Sequence, residues 1–402
     1  MSEKQILKIS QSLSEPKEFF AWRKELVQWA DPSTKLGAGN KKNEKPYSLG
    51  IRLDPAVFEQ KKKETDILPL CEIRHDGNVR VFEWSQGLQD VPLKKIILET
   101  LQDATVSLKK NIHAAQNAGM FESGKIIVCS AGSKENVFVK TTFVGDAKNI
   151  LFVVAEEGSK VSFFDDTENS VQTISGKTVV LVAKENASIT YVQSKSGAGT
   201  LYSNTVSFAH KNANITFLDI VATKDGVIKS DVEHFLKGAN AKVNTHSTSV
   251  SNGTGVVDLY NATVHGASNT KSFLSAAGVA GGQSKTIYRS NISMKASDIK
   301  NIEGEQKARF LMVSENAEID AIPSLDIAQK DVVCSHSVSI SHLKDNDLYY
   351  PRLRGINIEE ASNMMVEGML FAELSNIFGK NEDKEVQKEI ARIWEKVKNA
   401  VS

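Results

Sequence analysis

The sequence predicts a mainly β protein, a parallel β-helix (solenoid) flanked by N- and C-terminal α-helical regions. Three observations carry that prediction. Short β-branched runs fill the middle of the chain, a small-any-aliphatic tripeptide recurs there at a near-constant interval, and helical periodicity is confined to the stretches on either side. The chain divides accordingly into a mainly helical region over 1–120, the solenoid over 121–343 and a second helical region over 344–402.

In the first region Phe19, Phe20, Trp22, Leu26 and Trp29 supply the apolar positions of a helix that stops at Asp31-Pro32. Lys35 to Glu44 reads as a loop, and Asp54-Pro55 as an N-cap with a proline opening a short Lys-rich helix. A longer helical pattern runs from Leu93 to Ala118. After Gly124 strands take over, with Lys125 to Cys129, Val137 to Thr141, Leu151 to Val154 and Thr178 to Val182 as the clearest runs.

Ser159-Lys-Val161, Ala187-Ser-Ile189, Ala213-Asn-Ile215 and Ala241-Lys-Val243 set their aliphatic members about 28, 26 and 28 residues apart. Ala296-Ser-Asp-Ile299 and Ala317-Glu-Ile319 extend the theme, Ile299 following Val243 at a roughly doubled interval. Such a period fits one coil of a solenoid, whose strand stacks on the next coil at about 4.8 Å and lines the interior with Val, Ile, Leu and Phe. An immunoglobulin-like sandwich is also strand-rich, but its strands need share no long repeat. Solenoid ends require covers against edge-to-edge association, and the flanking helices are placed to provide them. Helical patterning returns at Leu348, continues from Ile358 to Phe378, and ends in an amphipathic helix carrying Val386, Ile390, Ile393, Trp394 and Val397. Met364, Met365 and Met369 fit either core packing or an adaptable partner surface.

Composition narrows the function. Hydrophobic residues are 41% and charged residues 24%, the balance of an ordinary globular protein rather than a disordered or membrane-embedded one. Lys+Arg and Asp+Glu are equal at 49, which removes the broad positive field of a nucleic-acid binder and is compatible with a constitutive protein partner. Neither a signal-peptide pattern nor a membrane-length apolar run occurs, so the expected location is the cytoplasm. GxxxxGK[ST], HExxH and GxSxG are all missing, and Gly278-Val-Ala-Gly-Gly282 lacks the GxGxxG spacing. The expectation is therefore a protein that is not itself an enzyme.

The three cysteines, Cys71, Cys129 and Cys334, are too far apart for a CxxC motif. Cys71 and Cys129 lie in apolar runs and read as core. Cys334 differs, because Asp331-Val-Val-Cys-Ser-His336 as a strand puts Cys334 and His336 on one face. A thiolate and an imidazole so placed can contribute to an iron or zinc site, but two groups cannot close one, and the remaining ligands would come from another chain. The alternative is a small buried cysteine beside a hydrogen-bonded strand histidine. Asp331 and Asp347 read as turn and cap residues, and His342 as a solvated loop histidine.

Ile319-Asp-Ala-Ile-Pro-Ser-Leu-Asp-Ile327, Asp331 to His336, Leu348-Tyr-Tyr350 and Arg354-Gly-Ile356 follow one another in an order that resembles the C-terminal signature of the SufB/SufD family of iron–sulfur cluster assembly proteins. The close resemblance spans Ala317 to Leu374. A looser one continues upstream through Gly278, Asn269 to Ser272, His265 and Val256 to Asp258. It implies a right-handed parallel β-helix between helical regions, with SufB and SufD pairing through their β-helices and SufC ATPase subunits docking on the C-terminal helical regions. Carried over residue by residue, it places Cys334 and His336 at the paired interface where a cluster forms, and Arg354, Gly355, Ile356, Glu360 and Ala361 in the region of SufC contact. SufB-like chains carry a cysteine where this one has Ala308 and a glutamate where it has Ser337. The chain is thus more similar to SufD, although Ser337, Tyr349 and Pro351-Arg-Leu353 depart from that pattern.

The resemblance implies no cofactor held stably by this chain alone, only a transient iron or Fe–S cluster at the subunit interface. The implied partners are a SufB-like subunit or a second copy of the chain, together with SufC, and neither nucleic acid nor membrane. A carbohydrate-active β-helix enzyme is the rival reading. It would need clustered carboxylates and aromatic platforms, whereas aromatics make up 7% of the chain and no repeated Asp pair appears.

Overall fold

A computed structural model describes residues 3–30, 68–169, 173–344, 347–358, 360–361, 364–370 and 384–401. Its body is a parallel β-solenoid of two nine-stranded sheets, with helices at both ends of the chain. The first sheet stacks β4 (Lys134–Phe143), β6 (Lys160–Asn169), β8 (Ser188–Gly197), β10 (Asn214–Thr223), β12 (Lys242–Ser251), β14 (Lys271–Ala280), β16 (Ile302–Met312) and β18 (Val332–His342). The second stacks β3 (Ser123–Cys129), β5 (Lys148–Ala155), β7 (Ile174–Ala183), β9 (Thr200–Ala209), β11 (Val227–Leu236), β13 (Val256–His265), β15 (Lys285–Met294) and β17 (Glu318–Ile327). A coil is thus one strand from each sheet and two turns, which accounts for the length of the repeat.

Register explains why the repeat was visible and where it was misread. Val161, Ile189, Ile215 and Val243 are consecutive partners in the first sheet, stacked pointing into the core. The column continues through Ser272, Gly304 and Cys334. Ile299 instead lies in the turn before β16, and Ile319 opens β17 in the other sheet, so neither extends the series.

The turns preceding the first-sheet strands β4 to β16 share a signature. Gly132, Gly158, Asn186, Asn212, Asn240, Asn269 and Asn301 all adopt positive φ, between 55° and 68°. Glycine pays no steric cost there, and asparagine tolerates the conformation better than other residues with a Cβ. The asparagines also link coils: Asn212 donates to Asn186, Asn240 to Asn212 and Asn301 to Asn269, each at 2.9 Å.

Both outer faces are covered over part of their length. α1 (Glu3–Ser12), α2 (Lys17–Ala30), α3 (Trp84–Gly87), α4 (Val91–Leu108) and α5 (Ile112–Met120) precede the coils, and their Phe19, Trp22, Leu26, Ile97 and Ala118 share one core with Ile150, Phe152, Val180 and Phe208 of the second sheet. The predicted helix from Leu93 to Ala118 is two helices, because Asn111 turns out of helical geometry and caps α5 by accepting from His113 N–H at 2.9 Å. Arg23 is buried among these helices and fully paired, reaching Glu15 at 2.6 Å and the carbonyls of Gly119 and Phe121. The readings at Asp31-Pro32, Lys35 to Glu44 and Asp54-Pro55 fall outside the described residues.

Sequence patterning assigned no strand before Gly124, yet β1 (Leu70–His75) and β2 (Val79–Glu83) are there. They pair antiparallel with β4 and β3 and close the N-terminal end of the solenoid. A short helix, α6 (Tyr349–Leu353), follows the last coil. α7 (Lys384–Val401) lies against the first sheet, burying Val386, Ile393 and Val397 on Phe164, Val192, Leu218, Ile220 and Val250, while Arg392 and Lys396 both bind Asp166. Ile390, Trp394 and Met369 pack at the margin of this cluster, whereas Met364 and Met365 stay exposed. Among the described residues, no helix is long and apolar enough to cross a membrane.

Candidate functional site at the open end of the solenoid

The two ends of the solenoid are built differently. At the N-terminal end β1 covers β4 and alternates charge on its exposed side through Glu72 and Arg74. At the other end β18 is the last strand of its sheet, with no neighbour beyond it among the described residues. β18 is 11 residues long, lacks Asp, Glu, Lys and Arg, and exposes Val333, Val338 and Ile340. Natural edge strands of that length are normally shortened, charged or covered.

Cys334 and His336 project from β18 toward the core side, as strand alternation requires. Cys334 stands over Gly304 in register and, like Leu325 and Val332, is half-buried against a cluster of Leu274, Ile292, Met294, Ile299 and Ile302. Gly304 matters here, since a Cβ on it would come within 2.6 Å of the Met294 methyl that fills the space beneath the thiol. His336 stands over Gln306 and is exposed. Gln306 is itself locked, accepting from Ser290 Oγ and donating to the Ser324 carbonyl, both at 2.8 Å. Ala308 pairs with Val338, one inward position beyond the Gln306 and His336 pair.

The other sequence candidates occupy distinct places. Cys129 is fully buried, and burial pushes its thiol up to about 12. Cys71 is only half-buried, on the edge strand β1, with its thiol also raised by burial. The Asp331 carboxylate accepts from the Asn301 N–H at 3.0 Å and Asp347 from the Lys344 N–H at 3.0 Å, both turn contacts. His342 ends β18 rather than lying in a loop, and is exposed.

Beyond β18, Gly355 takes a φ of 84° just after α6, and the Ile356 N–H reaches back to the Pro351 carbonyl at 3.2 Å. This is a helix end that glycine allows and most residues would strain. Arg354 donates to the Tyr350 hydroxyl at 2.7 Å and stacks over its ring. Asn357 caps the next helical segment, accepting from the Glu360 N–H at 2.8 Å, and Glu360 points to solvent while Ala361 is fully buried. Ala361 therefore packs inward and leaves any contact to its neighbours. Tyr349, Tyr350, Leu353, Ile358 and Met364 form an exposed apolar group along the same stretch.

The family described as SUF system FeS cluster assembly, SufBD core domain, matches residues 142–369, more than half the chain and nearly all of the solenoid. The chain belongs to the SufBD family. Relatives include the iron–sulfur cluster assembly protein SufD of Bacillus subtilis, 25% identical over 269 residues, which are 64% of this chain and 61% of that protein. A SufBD family protein of Synechocystis is 25% identical over 309 residues, 71% of this chain and 62% of its own. A third, from Porphyra purpurea, is 24% identical over 296 residues, 68% and 60% of the two chains. The chain thus spans a little under two thirds of the length of these SufBD relatives.

Two features of the SufBD core escaped the sequence reading. The Asn and Gly turn residues immediately precede Ser159, Ala187, Ala213 and Ala241, so a four-residue repeat beginning with Gly or Asn would have fixed the coil boundaries. The interior is also less apolar than the Val, Ile, Leu and Phe lining expected. Lys177 binds Asp165 at 2.5 Å, Thr141 at 3.0 Å and Thr167 at 2.9 Å, and Lys195 binds Asp219 at 2.5 Å, all fully buried.

Proposed function

We propose that this SufBD protein is a SufD-like, non-catalytic scaffold subunit that pairs through the open end of its solenoid and presents Cys334 and His336 to a nascent Fe–S cluster. The carrying observation is β18, a long edge without Asp, Glu, Lys or Arg, with the two ligand-type residues on its inner face. A partner strand laid along it would satisfy its backbone groups and cover Val338 and Ile340. In the intact assembly that partner is a SufB-like subunit.

The cluster is cargo in this reading. Among the described residues no three His, Cys, Asp or Glu side chains converge, so the paired chain supplies the further ligands. The cysteine that SufB-like chains carry at the Ala308 position would lie on the partner, in the coil next to its own terminal strand. ATP hydrolysis belongs to SufC, docked on the exposed stretch of Tyr349, Tyr350, Leu353, Arg354, Gly355, Ile356 and Glu360. Its movement would reach the cluster site through the segment that follows β18 directly.

A second reading, a homodimer, draws on the same composition, since no Asp, Glu, Lys or Arg on β18 repels its own copy across a two-fold axis. To test the site, Cys334→Ser and His336→Ala are combined in the complex with SufB-like and SufC-like subunits. The expected result is an intact complex with cluster loading reduced by about tenfold or more, on the scale of losing metal-site groups. Unchanged loading in an intact complex would remove both residues from the mechanism.

A further inference from the structure

The end of the chain is fastened to the first sheet more firmly than a cover requires. Val386, Ile393 and Val397 of α7 share one apolar cluster with Phe138 of β4, Phe164 of β6 and Val279 of β14, and the helical segment 364–370 adds Val366 and Leu370 to it. An 18-residue helix is about 27 Å long, the reach of roughly five or six strands spaced about 4.8 Å apart, so α7 can hold several coils at once. It contacts β10 and β12 as well as β6. Apolar contact is non-directional and would let such a helix slide along the sheet. Charge fixes it in place. The Asp166 carboxylate on β6, 1% exposed, accepts from Arg392 Nη1 at 2.6 Å and from Lys396 Nζ at 2.7 Å. Lys396 also reaches Glu168, which faces Lys140 at 3.9 Å, and Glu389 pairs with Arg392.

The stretch from Tyr349 to Ala361 lies between two fixed points. At one end it follows β18, and at the other it leads to Val366 and Leu370 in the α7 cluster. A segment tied at one end would pass a movement to β18 alone, whereas one tied at both ends passes it to two places on the same sheet. We infer that α7, clamped through Asp166, is the second point at which a docked ATPase subunit acts on the solenoid, delivering movement to the coils of β6 to β12 as well as to β18. This rests on the docking proposed for the exposed stretch that begins at Tyr349. Asp166, Arg392 and Lys396 are positioning residues in it, because they hold the helix that carries the load and touch no cluster. Packed helices and strands shift as units rather than deform, so releasing the clamp removes the second delivery and leaves the first.

Amide hydrogen exchange on the intact complex with SufB-like and SufC-like subunits, with and without ATP, tests this. In the unaltered complex ATP should change exchange in peptides of β6 and β10 as well as of β18. Asp166→Lys sets a cation against Arg392 and Lys396, which should speed exchange in α7 by about tenfold or more and abolish the β6 and β10 response while β18 keeps its own. With α7 released, the new side chain is open to solvent on the outer face, so the coils keep their fold. Lys396→Glu added to Asp166→Lys restores one ion pair and should restore the response, which a general loss of stability would not allow. A β6 and β10 response that persists with α7 released, or that is missing from an unaltered complex whose β18 responds, would overturn the proposal. So would an α7 still protected in Asp166→Lys. An unaltered complex that lacks the SufC-like subunit, or that shows no response to ATP anywhere, would instead remove the docking reading and this inference with it.

Discussion

Single residues show how much of this fold depends on charge held away from water. Lys177 and Asp165 are buried together, and Asp165 also accepts from the Tyr191 hydroxyl at 2.7 Å, so each charge is surrounded by partners. Removing one member leaves the other stranded, which costs about 3–5 kcal/mol, whereas replacing both with apolar residues recovers much of that. Lys177→Met is therefore expected to lower the denaturant midpoint sharply, and Lys177→Met with Asp165→Leu to lower it less. The buried histidines set the pH response. Burial holds His234 down to about 3 and His265 to about 4, against an ordinary 6.5. Thr270 Oγ1 gives its proton to the Ala267 carbonyl and so accepts from His265 Nδ1–H, leaving Nε2 to accept from Ser272. Both rings are neutral when folded but protonate near 6.5 when unfolded, so the stability they contribute is present above that pH and lost as pH falls toward their folded values. The melting temperature should decline from pH 6.5 to pH 4, and a His265→Gln variant should show a shallower decline.

Among the elements, the turns carry the repeat and the strands carry its register. Asn212 takes a φ of 56° and sits in the centre of a three-residue ladder, donating to Asn186 and accepting from Asn240. Asn212→Ala forfeits both the tolerated conformation and the ladder, and should destabilise by about 1–2 kcal/mol in thermal or denaturant unfolding. Asn212→Gly keeps the conformation and should cost less, so equal losses would contradict the ladder account. α7 is held by charge as well as by its apolar stripe. Burial alone would raise the Asp166 carboxyl, but Lys396 and Arg392 hold it below its ordinary value, and this ties the end of the chain to β6. The sequence showed that α7 has an apolar face, because a period of 3.6 is local. It could not show that β6 and its neighbours receive that face, because Asp166 and Lys396 are 230 residues apart.

For the whole molecule, legibility followed the range of the interactions. The solenoid was readable because Val161, Ile189, Ile215 and Val243 repeat the same environment coil after coil. β1 and β2 were not, because they are the two strands that depart from the repeat and run antiparallel to it. The candidate site was half legible. Alternation put Cys334 and His336 on one face, but only the strand order revealed that their strand is the last of its sheet among the described residues. Among the described residues, that asymmetry between a covered and an uncovered end is what supports the proposed pairing. The most direct test is the native mass of the chain co-expressed with SufB-like and SufC-like subunits, compared with a Val338→Asp, Ile340→Asp variant. Two carboxylates placed on the edge strand should weaken pairing by more than about tenfold while leaving the coils folded. The account predicts a complex of all three proteins for the unaltered chain and loss of the SufB-like subunit from the variant. A monomer in both cases, or a complex indifferent to the two aspartates, would contradict it.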